Sequence, residues 1–285
     1  MMGKALIGID LGGTKVLSGR IEDSKISDTF KSEVPADGSV EEVLEEIFKA
    51  IDVFFNNDIM GIGIGVPSVV DIERGIVYDV QNIPSWKEVH LKEILENKYK
   101  IPVYVNNDAN CFAVGEKHFG IARNYKNFVG LTIGTGMAGG IIINDKLYNG
   151  FNCGAGEFGT MAYLDHNYEY YCSGQFFKNV YQKDGYELYG DAMKGDIEAL
   201  KLYDELGYHL GKAIQAVLYA LDPEIIILGG SVSKAFDFFS KSMWKSLQTF
   251  EYKTTLERLK IEISKDPQIA LLGAAALYFD AHERI

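Results

Sequence analysis

The sequence predicts an α/β protein built from two similar halves, and three observations carry that prediction. Apolar runs of strand length alternate with segments of helical period. Each half opens on a hairpin whose turn holds Gly and Thr, at Leu11-Gly12-Gly13-Thr14 and at Gly134-Thr135-Gly136. The elements then follow in the same order in both halves, which points to an internal duplication facing a shared cleft.

In the first half, Ala5 to Asp10 is a buried-strand run and Lys15 to Ile21 returns antiparallel, leaving an acid at the hairpin tip. Thr29 to Val34 can be a third strand. Ser39 with Glu42 makes a capping box for a helix whose apolar face is Val43, Ile47, Ile51 and Phe54, ending near Asn57. Met60 to Val66 is a strand stopped by Pro67-Ser68, and Leu91 to Tyr99 is a helix. The strand beginning at Val103 then halts at the polar run Asn106-Asn107-Asp108-Ala109-Asn110, ahead of a helix over Cys111 to His118.

In the second half, Phe128 to Ile133 and Ala138 to Ile143 form the hairpin, and Lys146 to Tyr148 can be the third strand. An irregular stretch, Asn149 to Tyr171, precedes a helix over Ile197 to Leu221 that Asp222-Pro223 stops. Glu224 to Leu228 is a strand ending in Gly229-Gly230, Ala235 to Phe250 a helix, Ile261 to Ile263 a strand, and Gln268 to His282 the last helix. No low-complexity linker divides the halves. The expected domains are therefore 1–113 and 114–267, with the final helix, about 268–285, packing back on the first.

At 285 residues, 47% hydrophobic and 24% charged, the chain can bury a full core without staples. A net charge of -12 and a pI near 4.9 leave no basic patch, so neither nucleic acid nor an acidic membrane is an expected partner. Three widely spaced cysteines, Cys111, Cys153 and Cys172, suit a reducing compartment better than a disulfide framework. The chain enters a strand almost at once, with no secretory leader and no apolar run of membrane length, so a cytoplasmic location is expected.

Asp108 is the residue around which the rest is arranged. A carboxylate at the end of a strand, beside a helix N-terminus, is well seated for a catalytic base, although Asn and Asp there also suit a plain helix cap. The glycine turns are the second signal. Tight Gly-rich turns let backbone amides approach phosphate oxygens, and Asp10 beside one of them could hold a hydrated magnesium ion. Neither turn is a Walker loop, and a Gly-Gly hairpin taken alone is common. Their matching places in two repeats are the more telling fact.

Taken in order, Asp10-Leu11-Gly12-Gly13-Thr14-Lys15, Gly65-Val66-Pro67-Ser68-Val69-Val70-Asp71, Asn106-Asn107-Asp108-Ala109-Asn110, Leu131-Thr132-Ile133-Gly134-Thr135-Gly136 and Leu228-Gly229-Gly230-Ser231-Val232 resemble the motifs of the ROK family of bacterial sugar kinases. The resemblance spans nearly the whole chain. It implies the actin-like ATPase fold, with two ribonuclease-H-like domains around a cleft, and transfer of a phosphoryl group from ATP to a hexose, most simply glucose. It also implies roles. Asp108 becomes the base that takes the sugar hydroxyl proton, Asn107 binds the sugar, and Ser68 lies in a motif on the substrate side. The turns Asp10, Gly12, Gly13, Thr14, Lys15 and Gly134, Thr135, Gly136 hold the nucleotide phosphates, Asp10 takes Mg2+ through water, and Gly229 and Gly230 lie near the adenosine. Closure over both substrates is expected, and members of the family commonly form homodimers.

One region departs from the family. Its glucokinases carry Glu-x-Gly-His and a cysteine-rich zinc loop, where this chain has Glu157-Phe158-Gly159-Thr160 and then Tyr168-Glu169-Tyr170-Tyr171-Cys172. Glu157 and Glu169 remain as sugar-binding candidates, and Thr160 bears on sugar choice. Cys172 and His166 cannot complete a four-ligand site, so no zinc is expected. Tyr163, Tyr168, Tyr170 and Tyr171 are expected to pack where the metal would sit. None of His90, His118, His166, His209 and His282 is a catalytic candidate. An N-acetylmannosamine or other amino-sugar kinase is the nearest rival. The family's repressor branch fits poorly, since Asp10 follows so soon after Met1, and a non-catalytic sugar-binding module is disfavoured by the retention of Asp108, Asp10 and both turns.

Overall fold

The computed structural model describes residues 5–80 and 82–282. In the first sheet, β1 (Ala5–Leu11), β2 (Lys15–Glu22) and β3 (Lys25–Glu33) form the antiparallel part. The chain then runs through helix α1 (Val40–Asp52) to β4 (Ile59–Val66), which lies parallel to β1. The capping box at the start of α1 is formed, with Ser39 Oγ accepting from the Glu42 amide and Glu42 Oε2 accepting from the Ser39 amide. The helix stops at Asp52, short of the expected Asn57, because Asn56 Oδ1 takes the Asp58 amide at 2.9 Å and turns the chain toward β4. Phe54 stays buried under that turn.

Three very short strands follow, β5 (Val69–Asp71), β6 (Ile76–Tyr78) and β7 (Glu88–Val89), pairing as a small antiparallel sheet. Runs of two or three residues are too short to show a period, so the sequence did not announce them. Helix α2 (Leu91–Tyr99) leads to β8 (Val103–Asn107), parallel to β4, and helix α3 (Asp108–His118) begins directly after it. The sheet order is β3-β2-β1-β4-β8. Its parallel strands are covered on both faces, with Ile7, Ile9, Ile62 and Ile64 fully buried on one and Gly8 and Gly63 against α10 on the other.

The second sheet repeats this order. It contains β9 (Phe128–Ile133), β10 (Met137–Ile143), β11 (Lys146–Leu147), β14 (Ile225–Gly229) and β15 (Lys260–Ile263), in the order β11-β10-β9-β14-β15. β14 is parallel to both β9 and β15. The stretch expected to be irregular holds a 3-10 turn at Phe158–Thr160, a hairpin of β12 (Ala162–Tyr163) and β13 (His166–Asn167), and helix α4 (Tyr168–Cys172). Helices α5 (Phe176–Tyr181), α6 (Gly185–Met193) and α7 (Ile197–Leu221) precede β14, with α8 (Phe236–Leu247) and α9 (Lys253–Arg258) after it and α10 (Ile269–His282) last.

Two compact units result. One takes in the chain up to Asn124, Gly140–Ala155 and the chain from Lys265; the other is Tyr125–Gly139 with Gly156–Ser264. The stretch after α3 stays in the first unit because Glu116 Oε2 accepts the Ile121 amide at 2.9 Å and Arg123 Nε donates to the His118 carbonyl at 3.0 Å. Within that unit α10 lies on β1, β4 and α3. Glycine makes the approach possible. A Cβ built on Gly63 would stand 1.8 Å from the Ala274 carbonyl oxygen, and one on Gly273 would stand 1.7 Å from that of Cys111.

Gly63→Ala is expected to cost about 3 kcal/mol, because the obstructing atom is backbone and has no rotamer to adopt. Denaturant unfolding reads this as a lower midpoint with unchanged slope. An unchanged midpoint would mean that α10 does not seat on β4 as described.

Candidate functional site

In the first unit, parallel pairing sets three strand ends side by side. Asp10 on β1 is level with Gly65 on β4, and Gly65 is level with Asn106 on β8. Asp10 is thus part of the strand, paired with Leu17, and not at the tip of the hairpin as expected. Asp108 follows two residues beyond Asn106, and a Cβ on Gly65 would lie 3.6 Å from its Cα. Ligands of open α/β sheets gather outside such carboxyl ends.

The plain alternative for Asp108 was a helix cap, and the cap turns out to be its neighbour. Asn107 is the N-cap of α3, its Oδ1 accepting the Ala109 amide at 2.9 Å. Asp108 occupies the first helical position, half-buried, and its Oδ1 also accepts from Ala109 N, at 2.8 Å. The other end of the Asn107 amide donates to the Ser68 carbonyl at 3.3 Å, while Ser68 Oγ donates to the Tyr78 carbonyl. Ser68 is therefore brought next to Asn107 through its backbone, with its hydroxyl committed to β6.

Beneath this junction lies a buried amide cluster that sequence reasoning missed. Asn106 is 3% exposed and Asn110 is 1% exposed. Asn106 Oδ1 accepts from the Asn107 amide at 2.8 Å, from Asn110 Nδ2 at 2.9 Å and from the Cys153 thiol at 3.5 Å. Asn149 Oδ1 accepts from Asn106 Nδ2 at 3.1 Å and from Asn110 Nδ2 at 3.2 Å. One carboxamide thereby ties the end of β8, the first turn of α3 and the 149–153 loop together. The Cys111 thiol, fully buried beside them, is pushed well up by desolvation and then by the charges of Asp108, Asp10 and Cys153.

Burial also raises Asp10 above the ordinary carboxylate range. The adjoining turn is closed by the Gly12 amide donating to the Lys15 carbonyl at 2.8 Å, and a Cβ on Gly13 would stand 2.4 Å from Asn82 Cβ. Neither Gly12 nor Gly13 has a positive φ. What this turn needs from glycine is space. Thr14 gives its carbonyl to the Val34 amide, and the Lys15 side chain is exposed. A half-buried acid of raised affinity for a proton can equally accept a hydrated cation, and Mg2+ commonly binds through one carboxylate with waters and phosphate oxygens. Among the described residues no group of three or more His, Cys, Asp or Glu could hold a metal ion.

In the second unit the corresponding turn is held from the side. Gly134 N donates to the Gly136 carbonyl at 2.9 Å, the Gly134 carbonyl accepts from Gly174 N at 2.7 Å, and Gln175 Nε2 donates to the Thr135 carbonyl at 3.0 Å. Gly229, at the end of β14, is level with Thr132, and Gly230 turns away with φ +84, where a Cβ would meet the Ile133 carbonyl at 2.3 Å. The Gly229-Gly230 pair and the Gly134–Gly136 turn therefore share one end of the second sheet.

Two carboxylates stand at the same end. Glu169 Oε2 accepts the Met137 amide at 3.0 Å, and a Cβ on Gly136 would fall 2.5 Å from that oxygen. Glu157 precedes the 3-10 turn, half-buried, and is raised chiefly by burial and further by the charge of Glu169. Thr160 is exposed, and its hydroxyl donates to the Glu157 carbonyl at 2.8 Å. The site candidates Glu157, Glu169 and Thr160 are thus brought together by the turn and by α4.

Around α4, aromatic rings fill the place where the sequence had lost its cysteines. Tyr163 stacks on Tyr168 at 4.5 Å between centroids, and His166 stacks on Tyr170 at 3.8 Å. Cys172 is buried, and burial pushes its thiol up. His209 on α7 was set aside in the sequence. It is 8% exposed, its Nδ1 lies 3.0 Å from the Tyr163 phenol oxygen, and burial holds its affinity for a proton below the ordinary value against the opposing charge of Glu205. Its place on the apolar face of α7, between Leu206 and Leu210, was the signal that could have found it.

A model of the ROK family matches residues 6–281. A glucokinase of Thermotoga maritima is 31% identical over 262 residues, covering 81% of this chain and 83% of the relative. The xylose repressor of Bacillus subtilis is 31% identical over 210 residues, covering 68% of this chain and 54% of the repressor. Among solved structures, the ROK family glucokinase of Streptomyces griseus in complex with glucose and AMPPNP is 26% identical, with a TM-score of 0.80, covering 96% of this chain and 98% of that one. The mixed α/β architecture is the actin-like ATPase fold of these kinases. No helix among the described residues is long and apolar enough to cross a membrane.

A carboxyl whose proton affinity is raised by burial opposes folding once ionised. Its stability contribution is full below the ordinary carboxylate range and declines as pH rises through the raised value. Asp10→Asn is neutral throughout, so in metal-free buffer the melting temperature of the variant minus that of the wild type should grow from about pH 4 to about pH 8. A difference independent of pH would contradict the burial described for Asp10.

Proposed function

Because the chain belongs to the ROK family, we propose that it is an ATP-dependent hexose kinase that transfers the γ-phosphoryl group to the 6-hydroxyl of a hexose, with glucose the favoured acceptor. The observation that carries this reading is the end of β8. There Asn107 caps α3 and leaves Asp108 at its first position, two residues beyond Asn106, which is level through Gly65 with the half-buried Asp10.

In the reaction the 6-hydroxyl oxygen forms a bond to the γ-phosphorus, the bond from that phosphorus to the bridging oxygen breaks, and ADP leaves with the electron pair. Asp108 takes the hydroxyl proton as the new bond forms. Its helix-terminal seat suits an anion, and the Asn106 cluster below braces Asn107 and Asn110 on either side of it. Asn107, Glu157 and Glu169 hold sugar hydroxyls, with Ser68 supporting Asn107 through its carbonyl. Thr160 shapes the sugar side. The backbone amides of Gly12, Gly13 and Thr14, with Lys15, and those of Gly134, Thr135 and Gly136 cradle the phosphates, while Gly229 and Gly230 give the adenosine room. Asp10 would hold Mg2+ through water, which supplies charge neutralisation on the phosphates.

One observation favours a different acceptor. Thr160 spends its hydroxyl on the Glu157 carbonyl, so it presents no donor like that of an imidazole toward the sugar, and an N-acetylated amino sugar such as N-acetylmannosamine is the second candidate. Similarity to a xylose repressor keeps a non-catalytic sugar-responsive role as the reading of another class.

With Mg-ATP, a panel of glucose, mannose, fructose, N-acetylglucosamine and N-acetylmannosamine should show phosphoryl transfer to at least one sugar. Asp108→Asn should lower kcat by about 10²- to 10⁴-fold while leaving the sugar dissociation constant within about threefold. Absence of transfer to every sugar, or a variant with wild-type turnover, would overturn the reading; operator binding without transfer would favour the regulatory one.

A further inference from the structure

α4 is one helical turn long, Tyr168–Cys172, and a helix of five residues does not hold its own conformation in water. Yet it carries Glu169, whose Oε2 accepts the Met137 amide and whose charge bears on Glu157. Something outside α4 must fix its orientation. Its cap, Asn167 Oδ1 to the Tyr170 amide at 2.9 Å, sets the backbone but not the angle at which the turn meets the rest of the unit.

The Tyr168 amide donates to the Met161 carbonyl and the Tyr170 hydroxyl to the Asn179 carbonyl, both at 3.1 Å, while the ring contacts of Tyr168 and Tyr171 lead to His209. The imidazole is almost fully buried, where an unbonded polar group is costly, and it is bonded to the Tyr163 phenol at 3.0 Å. Tyr163 lies flat against Tyr168, with an interplanar angle of 19°, and Tyr168 is the residue before Glu169. On the other side of Glu169, the Tyr171 ring lies 5.1 Å from the His209 ring. One imidazole thus touches both arms of the turn, directly at Tyr171 and through Tyr163 at Tyr168. Behind it Glu205, one helical turn away on α7, lies 3.7 Å from Nε2 and receives the Tyr181 hydroxyl. An apolar side chain would fill the same volume without directing a phenol.

We infer that His209 is a positioning residue for the acceptor sugar: through Tyr163, Tyr168 and Tyr171 it sets the orientation of α4 and hence of Glu169. The inference rests on the hexose kinase reading, in which Glu169 binds a sugar hydroxyl. His209 itself touches no substrate. Its loss should weaken sugar binding while leaving the nucleotide side and the chemical step alone, a split that general loosening of the fold would not give.

The test compares wild type with His209→Leu, Tyr163→Phe, His209→Gln and the Leu/Phe double variant, using steady-state kinetics at saturating Mg-ATP and glucose or whichever panel sugar is accepted. His209→Leu and Tyr163→Phe should each raise the sugar KM about fivefold, the loss of one directed hydrogen bond, with kcat and the ATP KM within about twofold. The double variant should be no worse than either single one, because both remove the same bond. His209→Gln, which keeps a polar partner for the phenol, should recover most of the affinity. A sugar KM unchanged in folded His209→Leu, or sugar and ATP KM rising together, would overturn the inference; if His209→Leu does not fold, Tyr163→Phe decides by the same criterion. A wild type that transfers phosphate to no sugar instead overturns the kinase reading, and glucose titrations by calorimetry then decide His209 separately, equal dissociation constants in wild type and Tyr163→Phe counting against it.

Discussion

The close seating of α10 is the constraint on which the first unit depends. Its backbone touches the backbone of β4 at Gly63, of β1 at Gly8, and of α3 at Gly115 and, through its own Gly273, at Cys111, places where a single added carbon would collide with a carbonyl oxygen. Such contact surrenders side-chain packing for proximity, and it brings together the three elements whose ends carry Asp10, Gly65 and Asp108. Several of the chain's 30 glycines thus serve close backbone contacts of this helix and not only turns. Because α3 is gripped from one side by α10, its N-terminus, and with it Asp108, has little freedom to drift.

The charged groups of the candidate site are held at a cost that marks them. Asp10 is desolvated by its surroundings, and Glu157 is crowded by both burial and a neighbouring carboxylate. Neither arrangement stabilises the protein. Groups kept in unfavourable surroundings gather at functional sites because a ligand can relieve them. The amides around Asp108 serve the opposite end: Asn106 accepts three hydrogen bonds with one oxygen, which fixes a junction by direction and without charge.

Around Glu169 the same need for fixed direction is met by aromatic stacking. Tyr163, Tyr168, Tyr170 and Tyr171 bury flat surfaces against one another and against two histidines, and the expected packing of these tyrosines is what the structure displays. Rings with few rotamers lose little freedom on packing and stack in preferred geometries, so they can define the pose of a short helix.

The sequence by itself determined the alternation of strands and helices, the repeat of its order in two halves, the capping box at Ser39, and the candidates Asp108, Asp10 and the two glycine turns. These are legible because strand period, cap chemistry and turn chemistry are local. Helix ends near Asn57 and Cys111 were misplaced by a few residues, since a competing Asx turn and a cap at Asn107 decide them. Only tertiary structure decided that Asn107 caps and Asp108 does not, that Asn149 and Cys153 brace Asn106, that β5 to β7 hold Ser68, and that His209 stands behind Glu169. The bracing of Asn106 by Asn149 and Cys153 and the bond of Tyr163 to His209 depend on residues more than forty positions apart meeting in a packed interior, and no periodicity along the chain records which distant partners will meet.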